Sequence, residues 1–371
     1  MAKSYSTLPV PGFAHGSKNL FPPESLEETR QVIENLCIHI KFASKIRKCE
    51  KFTGGNNTAI AFTCLPLNAK DKCQRIACVL PVTQNLRRNF GLPIPITLAW
   101  DCTYGNPIRS PYTVLERIMG ETLEYEYRKL RQGFEHKTPR HPHDLERRCK
   151  YAKCVAELVA AMDRTSLPGY GSFVSHVSMK IKGTLTSAIS TLQISRPTID
   201  GVRIPSEPFF GQWVGSLLNA RMRKTMDGNV NITAEEKFKI HKLVLIGAEM
   251  EQKGLFVDEP AVVWHLDFYP RNIMIESSRN HVMLTGVIDW DDAKAVPRIM
   301  ARRPPNFLWN MPGNPLLPEE KTAIATIFNR EMERLCPGYL QDAYLGSRVM
   351  VRALCVYAFS GVDYRFYHEL S

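Results

Sequence analysis

The sequence predicts an α+β fold in two lobes, a small β-rich N-terminal lobe and a larger, mainly helical C-terminal lobe. Three observations predict it. Strand-like apolar runs crowd into the stretch before Gly120, at Ile60–Leu67, Ile76–Leu80, Ile96–Trp100 and Tyr112–Ile118. After Gly120 the apolar residues recur mostly at helical spacing. A length of 371 residues is enough for two lobes with a substantial core.

Taken in order, residues 1–24 are rich in Pro, Gly and Ser and read as a flexible lead-in. Ser25-Leu-Glu-Glu28 is a capping box opening a helix with Leu26, Ile33, Leu36 and Ile40 on one face. The N-terminal lobe is expected over 25–119, around a sheet of about four or five strands. The C-terminal lobe is expected over 120–371. Leu145, Cys149, Ala152, Ala156, Val159 and Met162 form a helical stripe best read as core. Thr184–Ile194 and Phe209–Lys224 read as helices, and Thr233-Ala-Glu-Glu236 caps another. Pro318–Leu335 and Leu340–Phe359 read as two final helices, separated by Pro337-Gly338. A helical segment over about 200–231 is placed to shape a substrate pocket through Phe209, Phe210, Trp213 and Arg221, although aromatics at such spacing are more often core.

Between the last capping box and those final helices lies the segment that carries chemistry. Ala261-Val-Val-Trp264, Ile273-Met-Ile275 and Val282-Met-Leu284 with Gly286-Val-Ile288 are short strands. Pro270 forces a turn between the first two. Two hairpins of this kind bring Asp267, Asn272 and Asp289 to one end of a small sheet. One aspartate five residues before an asparagine, and a second beyond two strands, supplies the groups that phosphoryl transfer needs. Asp267 is the expected base for an attacking hydroxyl. Asn272 and Asp289 are hard oxygen ligands suited to Mg²⁺ rather than zinc. Taken singly, each residue also reads as a turn or strand-end residue, and only the joint spacing favours a site. His265, grouped with the catalytic residues, is expected to hold the loop through a backbone hydrogen bond rather than to act as a base. Asp291 and Asp292 are open between substrate contact, support and helix capping.

His265-Leu-Asp267-Phe-Tyr-Pro-Arg-Asn272 and Ile288-Asp289-Trp290 resemble the catalytic loop and metal strand of the aminoglycoside phosphotransferase/choline kinase family, in a branch of fungal proteins. The resemblance runs from about Phe52 to Gly361. Pro297 to Trp309 resembles the segment that follows the metal aspartate in that branch. The resemblance implies a protein-kinase-like two-lobe fold, ATP and Mg²⁺ as cofactors, and a nucleotide in the cleft between lobes. It assigns nucleotide binding to the N-terminal lobe and catalysis and substrate binding to the C-terminal one. Thr53 to Thr58 resembles the family's phosphate loop, which makes Gly54, Gly55, Asn56, Asn57 and Thr58 nucleotide-binding residues. Pro111 to Leu123 resembles the segment linking the lobes, where the backbone at Glu116 and Ile118 holds the adenine. The implied reaction moves the ATP γ-phosphate to a hydroxyl of a small molecule such as an amino sugar or amino alcohol. A protein kinase is not indicated, because the chain lacks the G-x-G-x-x-G loop, V-A-I-K strand, D-F-G and A-P-E segments.

Two departures from the family pattern favour an alternative, a catalytically impaired kinase-like binding or regulatory protein. The family carries Lys or Arg on its third strand, two residues before a proline; here Val79 stands there, before Pro81. The family also has a helix after that strand, with a glutamate that orients the basic residue. Here Val82 to Leu92 contains no acidic residue, and the helix is expected to be missing. Lys72, Arg75 or Arg87 may be read as substitutes, the site as degenerate, or the gene sequence as incomplete near 81–93.

Composition bounds the rest. An apolar fraction of 44% and a charged fraction of 23% are ordinary for a soluble globular chain. No apolar run reaches the length of a membrane span, and the N-terminus has no hydrophobic stretch of leader type. Ten cysteines without a C-x-x-C pair suit reduced thiols and a cytoplasmic location. The net charge of +11 favours anionic partners. Nine Lys/Arg against three Asp/Glu over Arg128–Lys153 read as a solvated helix face, and His136, His141 and His143, set among prolines, as an exposed loop. No nucleic-acid-binding motif is present, so the expected partners are a nucleotide and a small-molecule acceptor, without membrane or nucleic acid. The sequence leaves the oligomeric state open.

Overall fold

The computed structural model describes residues 25–40, 43–52, 59–66, 81–101, 105–109, 112–135, 142–174, 193–195, 198–199, 202–203, 209–226, 233–278, 281–290, 292–311 and 316–360. The expected lead-in, the glycine-containing loop at 53–58 and the strand expected at Ile76–Leu80 lie outside them. The chain divides into two units, Met1–Val79 with Thr97–Arg117, and Leu80–Ile96 with Ile118–Ser371.

The first unit opens with helix α1 (Leu26–His39). Its capping box is formed: Ser25 Oγ accepts from the Glu28 N–H at 3.1 Å, and the Glu28 carboxylate accepts from the Ser25 N–H at 3.4 Å. Two antiparallel pairs follow, β1 (Ala43–Phe52) with β2 (Ala59–Pro66), and β3 (Thr97–Asp101) with β4 (Tyr112–Leu115). A small core joins α1 to the second pair through Ile33, Leu36, Cys37, Ala99, Ile108 and Val114. Strand β1 was not expected, because its Lys, Arg and Glu residues break up any apolar run. The four strands pair two by two rather than as a sheet of four or five among the described residues.

Pro81–Phe90 forms helix α2, which corrects the expectation that no helix follows the Val79 region. The local chemistry suffices without a glutamate. Proline is tolerated in a first helical turn, Arg87 and Arg88 sit in the last, and Gly91 follows at φ +66° as a terminator. Leu86, Leu92 and Ile94 are buried in the core of the second unit, so Leu80–Ile96 groups with that unit although it was assigned to the N-terminal lobe.

The second unit then runs through β5 (Glu121–Thr122), α3 (Leu123–Glu135), α4 (Pro142–Asp163), β6 (Gly171–Val174), β7 (Gln193–Ser195), β8 (Thr198–Ile199) and β9 (Val202–Arg203). It continues with α5 (Phe210–Met226), α6 (Ala234–Gln252), β10 (Ala261–Trp264), β11 (Ile273–Ser277), β12 (Val282–Val287), β13 (Lys294–Pro297) and α7 (Arg298–Ala301). It ends with α8 (Pro318–Leu335), α9 (Tyr339–Tyr344) and α10 (Gly346–Ser360). Of the helix expected at Thr184–Ile194, Gln193 and Ile194 instead pair with β6 as strand β7, and 184–192 lie outside the described residues. The single helix expected over Leu340–Phe359 breaks at Leu345, whose backbone is extended. Arg352 closes the break by donating to the carbonyls of Asp342 and Ala343. The architecture is α+β. Among the described residues no helix is long and apolar enough to cross a membrane.

Sheet order β10-β13-β6-β7 puts β10 between two cores. Ala261 and Val263 enter one with α4 and α8, whereas Val262 enters the other with Phe210, Trp213 and Leu217 of α5 and Val351 and Cys355 of α10. A strand buried on both faces is apolar throughout, which is what Ala261-Val-Val-Trp264 spells. Phe210 and Trp213 are therefore core. Arg221 bonds the carbonyls of Ala358 and Phe359 at 2.6 and 2.8 Å, and only Phe209 is exposed.

A chain of poorly exposed charges ties α4, α9 and α10 together. Arg302 grips Asp163 with Nε and Nη2, both at 2.8 Å, and reaches Asp342 with Nη1 at 2.9 Å. Arg348 continues from Asp342 at 2.7 Å to Glu259. Burial pushes the Glu259 carboxyl above the usual range, and Arg348 opposes that shift. Each side chain is under one-fifth exposed, so removing a partner strands a charge in a poorly solvated place. Arg302→Met is expected to lower unfolding stability by about 3–5 kcal/mol, read from urea denaturation.

Candidate active site

Strand β10 delivers the loop. The Val263 N–H donates to Thr165 Oγ1 at 2.8 Å, and that hydroxyl donates to the Met162 carbonyl at the end of α4. Just past β10, His265 turns inward and is 1% exposed. Its ring meets Trp290 edge-on at 4.7 Å and Phe268 at 6.1 Å. Nε2 lies 2.9 Å from the Ile288 carbonyl, which can only accept, so Nε2 carries the proton. Nδ1 is then the unprotonated nitrogen, buried without a partner among the described residues. Burial holds the His265 pKa below its ordinary value, and the Ile288 bond only partly offsets this. A neutral ring with its one proton engaged by the backbone is a strut.

The chain then makes two tight turns. The Tyr269 N–H donates to the Asp267 carbonyl and the Asn272 N–H to the Tyr269 carbonyl, both at 2.9 Å, with Pro270–Asn272 as a single 3₁₀ turn. Proline suits this turn because the N–H it lacks has no role there. Asn272 is buried, and its Nδ2 donates to both the carbonyl (2.8 Å) and the carboxylate (2.7 Å) of Asp267. Both targets are acceptors, which fixes the amide: Nδ2 faces Asp267 and Oδ1 faces away, taking no hydrogen bond among the described residues.

Strand β11 pairs with β12 in a register that sets Ile273 opposite Val287, and the Ile288 N–H reaches back to the Asn272 carbonyl at 3.0 Å. Asp289 comes next, exposed, at φ +67°. This left-handed conformation is uncommon outside glycine, and aspartate is among the residues that tolerate it. Trp290 Nε1 donates to the Val287 carbonyl at 2.9 Å and fixes the turn that leads into β13. Asp292 is exposed, and Asp291 lies outside the described residues.

The loop thus presents the Asp267 carboxylate, the Asn272 Oδ1 and the Asp289 carboxylate. The last two are oxygen donors on adjoining backbone, and they fit a Mg²⁺ ion, which takes few protein ligands and completes its shell with water and substrate phosphates. No cluster of three or more His, Cys, Asp or Glu positioned to hold a metal occurs among the described residues.

Of the residues expected to bind nucleotide, Gly54, Gly55, Asn56, Asn57 and Thr58 lie outside the described residues. Glu116 is half-buried in extended chain after β4. Ile118 lies with its side chain over Gly286 of β12, so closely that a Cβ there would strike it. Thr285 Oγ1 bonds the Met119 carbonyl at 2.6 Å, and Gly120 passes against the backbone of Ile275 at φ +96°. Residues 118–120 are thereby built into the sheet that carries Asn272 and Asp289. One residue of the loop went unnoticed in the sequence. Arg271 Nη2 donates to Asp267 Oδ1 and Oδ2 at 2.5 and 2.7 Å, and its guanidinium lies 4.7 Å from the Tyr269 ring centre. The only sequence signal was an Asp–Arg spacing of four.

A sequence profile of the phosphotransferase enzyme family matches residues 66–300, which include the whole of this site. Comparison with curated proteins returned no match. Among solved structures, the chain is similar to a thermostable aminoglycoside phosphotransferase in ternary complex with AMP-PNP and hygromycin B (15% identity, TM-score 0.42, covering 89% of this chain and 100% of that one). It is also similar to the type VIII aminoglycoside-3'-phosphotransferase (15%, 0.37, 84% and 94%) and to Plasmodium vivax ethanolamine kinase (11%, 0.45, 95% and 88%).

The packing of Ile118 on Gly286 makes a measurable expectation. Gly286→Ala should cost about 1–3 kcal/mol by overpacking, and adding Ile118→Ala should recover part of that loss in thermal melts.

Proposed function

This chain belongs to the phosphotransferase enzyme family, and from that premise we propose that it is an ATP- and Mg²⁺-dependent small-molecule kinase. One observation carries the reading. The Asn272 side chain holds Asp267 with its nitrogen and keeps its oxygen for a cation, beside the Asp289 turn. A single amide then spaces the base from the metal.

Asp267 receives the proton of an acceptor hydroxyl as that oxygen closes on the γ-phosphorus. It lies at a turn, 30% exposed, where a substrate can reach it. Asn272 fixes the carboxylate so that little is reorganised when the acceptor arrives. Asn272 Oδ1 and Asp289 would hold Mg²⁺, which neutralises charge on the nucleotide phosphates when bound. His265 keeps the two segments together and takes no part in proton transfer. The backbone at Glu116 and Ile118 is assigned to adenine, and 54–58 to the phosphates, by the family pattern. The acceptor is a hydroxyl compound such as an amino sugar or amino alcohol. Cys37, Cys149, Cys154, Cys336 and Cys355 form no disulfide, and three of the five are buried, which supports a cytoplasmic location.

Val79 favours the alternative, a kinase-like binding protein; α2 supplies a helix after Val79, but one without the glutamate of the family pattern. Acceptor-dependent release of ADP separates the two. Asp267→Ala should lower that rate by about 10²-fold or more while leaving the Mg·ATP-induced rise in melting temperature. Asp289→Asn, which tolerates the same backbone angle, should abolish the rise. An Asp267→Ala enzyme as fast as its parent would remove Asp267 from the role of base.

A further inference from the structure

Arg271 has no evident duty in the fold. Its side chain is 55% exposed, and an exposed pair four residues apart contributes little to stability. Asp267 is already held by the buried Asn272. Yet the guanidinium is laid over the Tyr269 ring and directed at both oxygens of the residue read as the base. That aim places a permanent positive charge within one side-chain rotation of the reacting atoms. An acceptor oxygen bound to Asp267 lies about 3 Å from it, and the phosphorus it attacks about 3 Å further.

We propose that Arg271 is a further catalytic residue, an arginine that swings from Asp267 to cap the phosphoryl group in flight; the proposal rests on the kinase reading above. In that step the hydroxyl oxygen forms its bond to the γ-phosphorus. The bond from that phosphorus to the β,γ-bridging oxygen breaks, and its electron pair stays on ADP. The hydroxyl proton passes to Asp267. Charge accumulates on the phosphoryl oxygens and the bridging oxygen, and a planar, always-charged guanidinium is the side chain suited to them.

The arrangement also bears on Val79. The chain lacks the expected cation on its third strand, and Arg87, one candidate substitute, donates to the Ile94 carbonyl at 3.0 Å. Lys72 and Arg75 lie outside the described residues. Arg271 supplies positive charge from the catalytic loop, to the transferred group rather than to the α- and β-phosphates. Tyr269 has a part in this: stacking keeps the guanidinium desolvated on one face and limits the positions it visits.

The test needs no acceptor. Binding of Mg·ADP is compared with Mg·ADP plus aluminium fluoride, a mimic of the phosphoryl in flight, for the whole chain and for Arg271→Met and Arg271→Lys. The parent should gain about tenfold or more in affinity from the fluoride. Arg271→Met should lose that gain and keep its affinity for Mg·ADP, with Arg271→Lys recovering part of it. Retention of the full gain by Arg271→Met overturns the proposal. Equal loss of both ligands also does, since it marks Arg271 as a support of the loop. A parent that binds Mg·ADP but gains nothing overturns the arginine role and leaves the kinase reading standing. A parent that binds neither Mg·ATP nor Mg·ADP overturns the kinase reading itself, and the arginine role with it.

Discussion

Both backbone groups of Ile288 are committed to the loop that carries Asp267. Its N–H goes to the Asn272 carbonyl, and its own carbonyl takes the His265 proton. Two segments more than fifteen residues apart in sequence are thereby clamped at one peptide. Asp267, Asn272 and Asp289 all hang from that clamp within a residue or two. His265 and Asn272 are buried at this joint, so water competes little for these bonds, and breaking one leaves a polar group without a partner. The cost of such an orphan is what makes the geometry rigid enough to position a reaction.

The clamp needs a fixed base, and β10 provides it. Val262 faces one core while Ala261 and Val263 face another, so the strand has no side left free to move. Behind it, Glu259 at the approach to β10 belongs to the charge chain running through Arg348, Asp342 and Arg302 to Asp163 at the end of α4. Apolar burial supplies the bulk of the adhesion here. The ion chain adds direction, because a guanidinium fork accepts few orientations of its carboxylates.

Much of this was legible in the sequence where the signal is local and periodic. The motif around Asp267 could be read because its residue types and spacings are demanded by a short turn between two strands. The Ser25 cap and the start and end of α8 were legible for the same reason. Strand β1 was not, since its alternating charges hide the pattern that marks a half-buried strand. Helix α2 lacks the glutamate that marks this helix in the family pattern, although Pro81 at its start and Gly91 at its end are boundary marks in their own right. The break at Leu345 depends on Arg352 reaching the carbonyls of α9, a contact no local reading shows. Arg271 escaped for a similar reason: its meaning lies in what it touches, and any Asp–Arg pair four apart looks the same in sequence.

The left-handed backbone at Asp289 carries one more consequence. Glycine and asparagine adopt that angle at least as readily as aspartate, so the backbone angle by itself does not select a carboxylate. What the angle does restrict is side-chain type: a short polar residue or none is tolerated there, and a β-branched or bulky one would be strained.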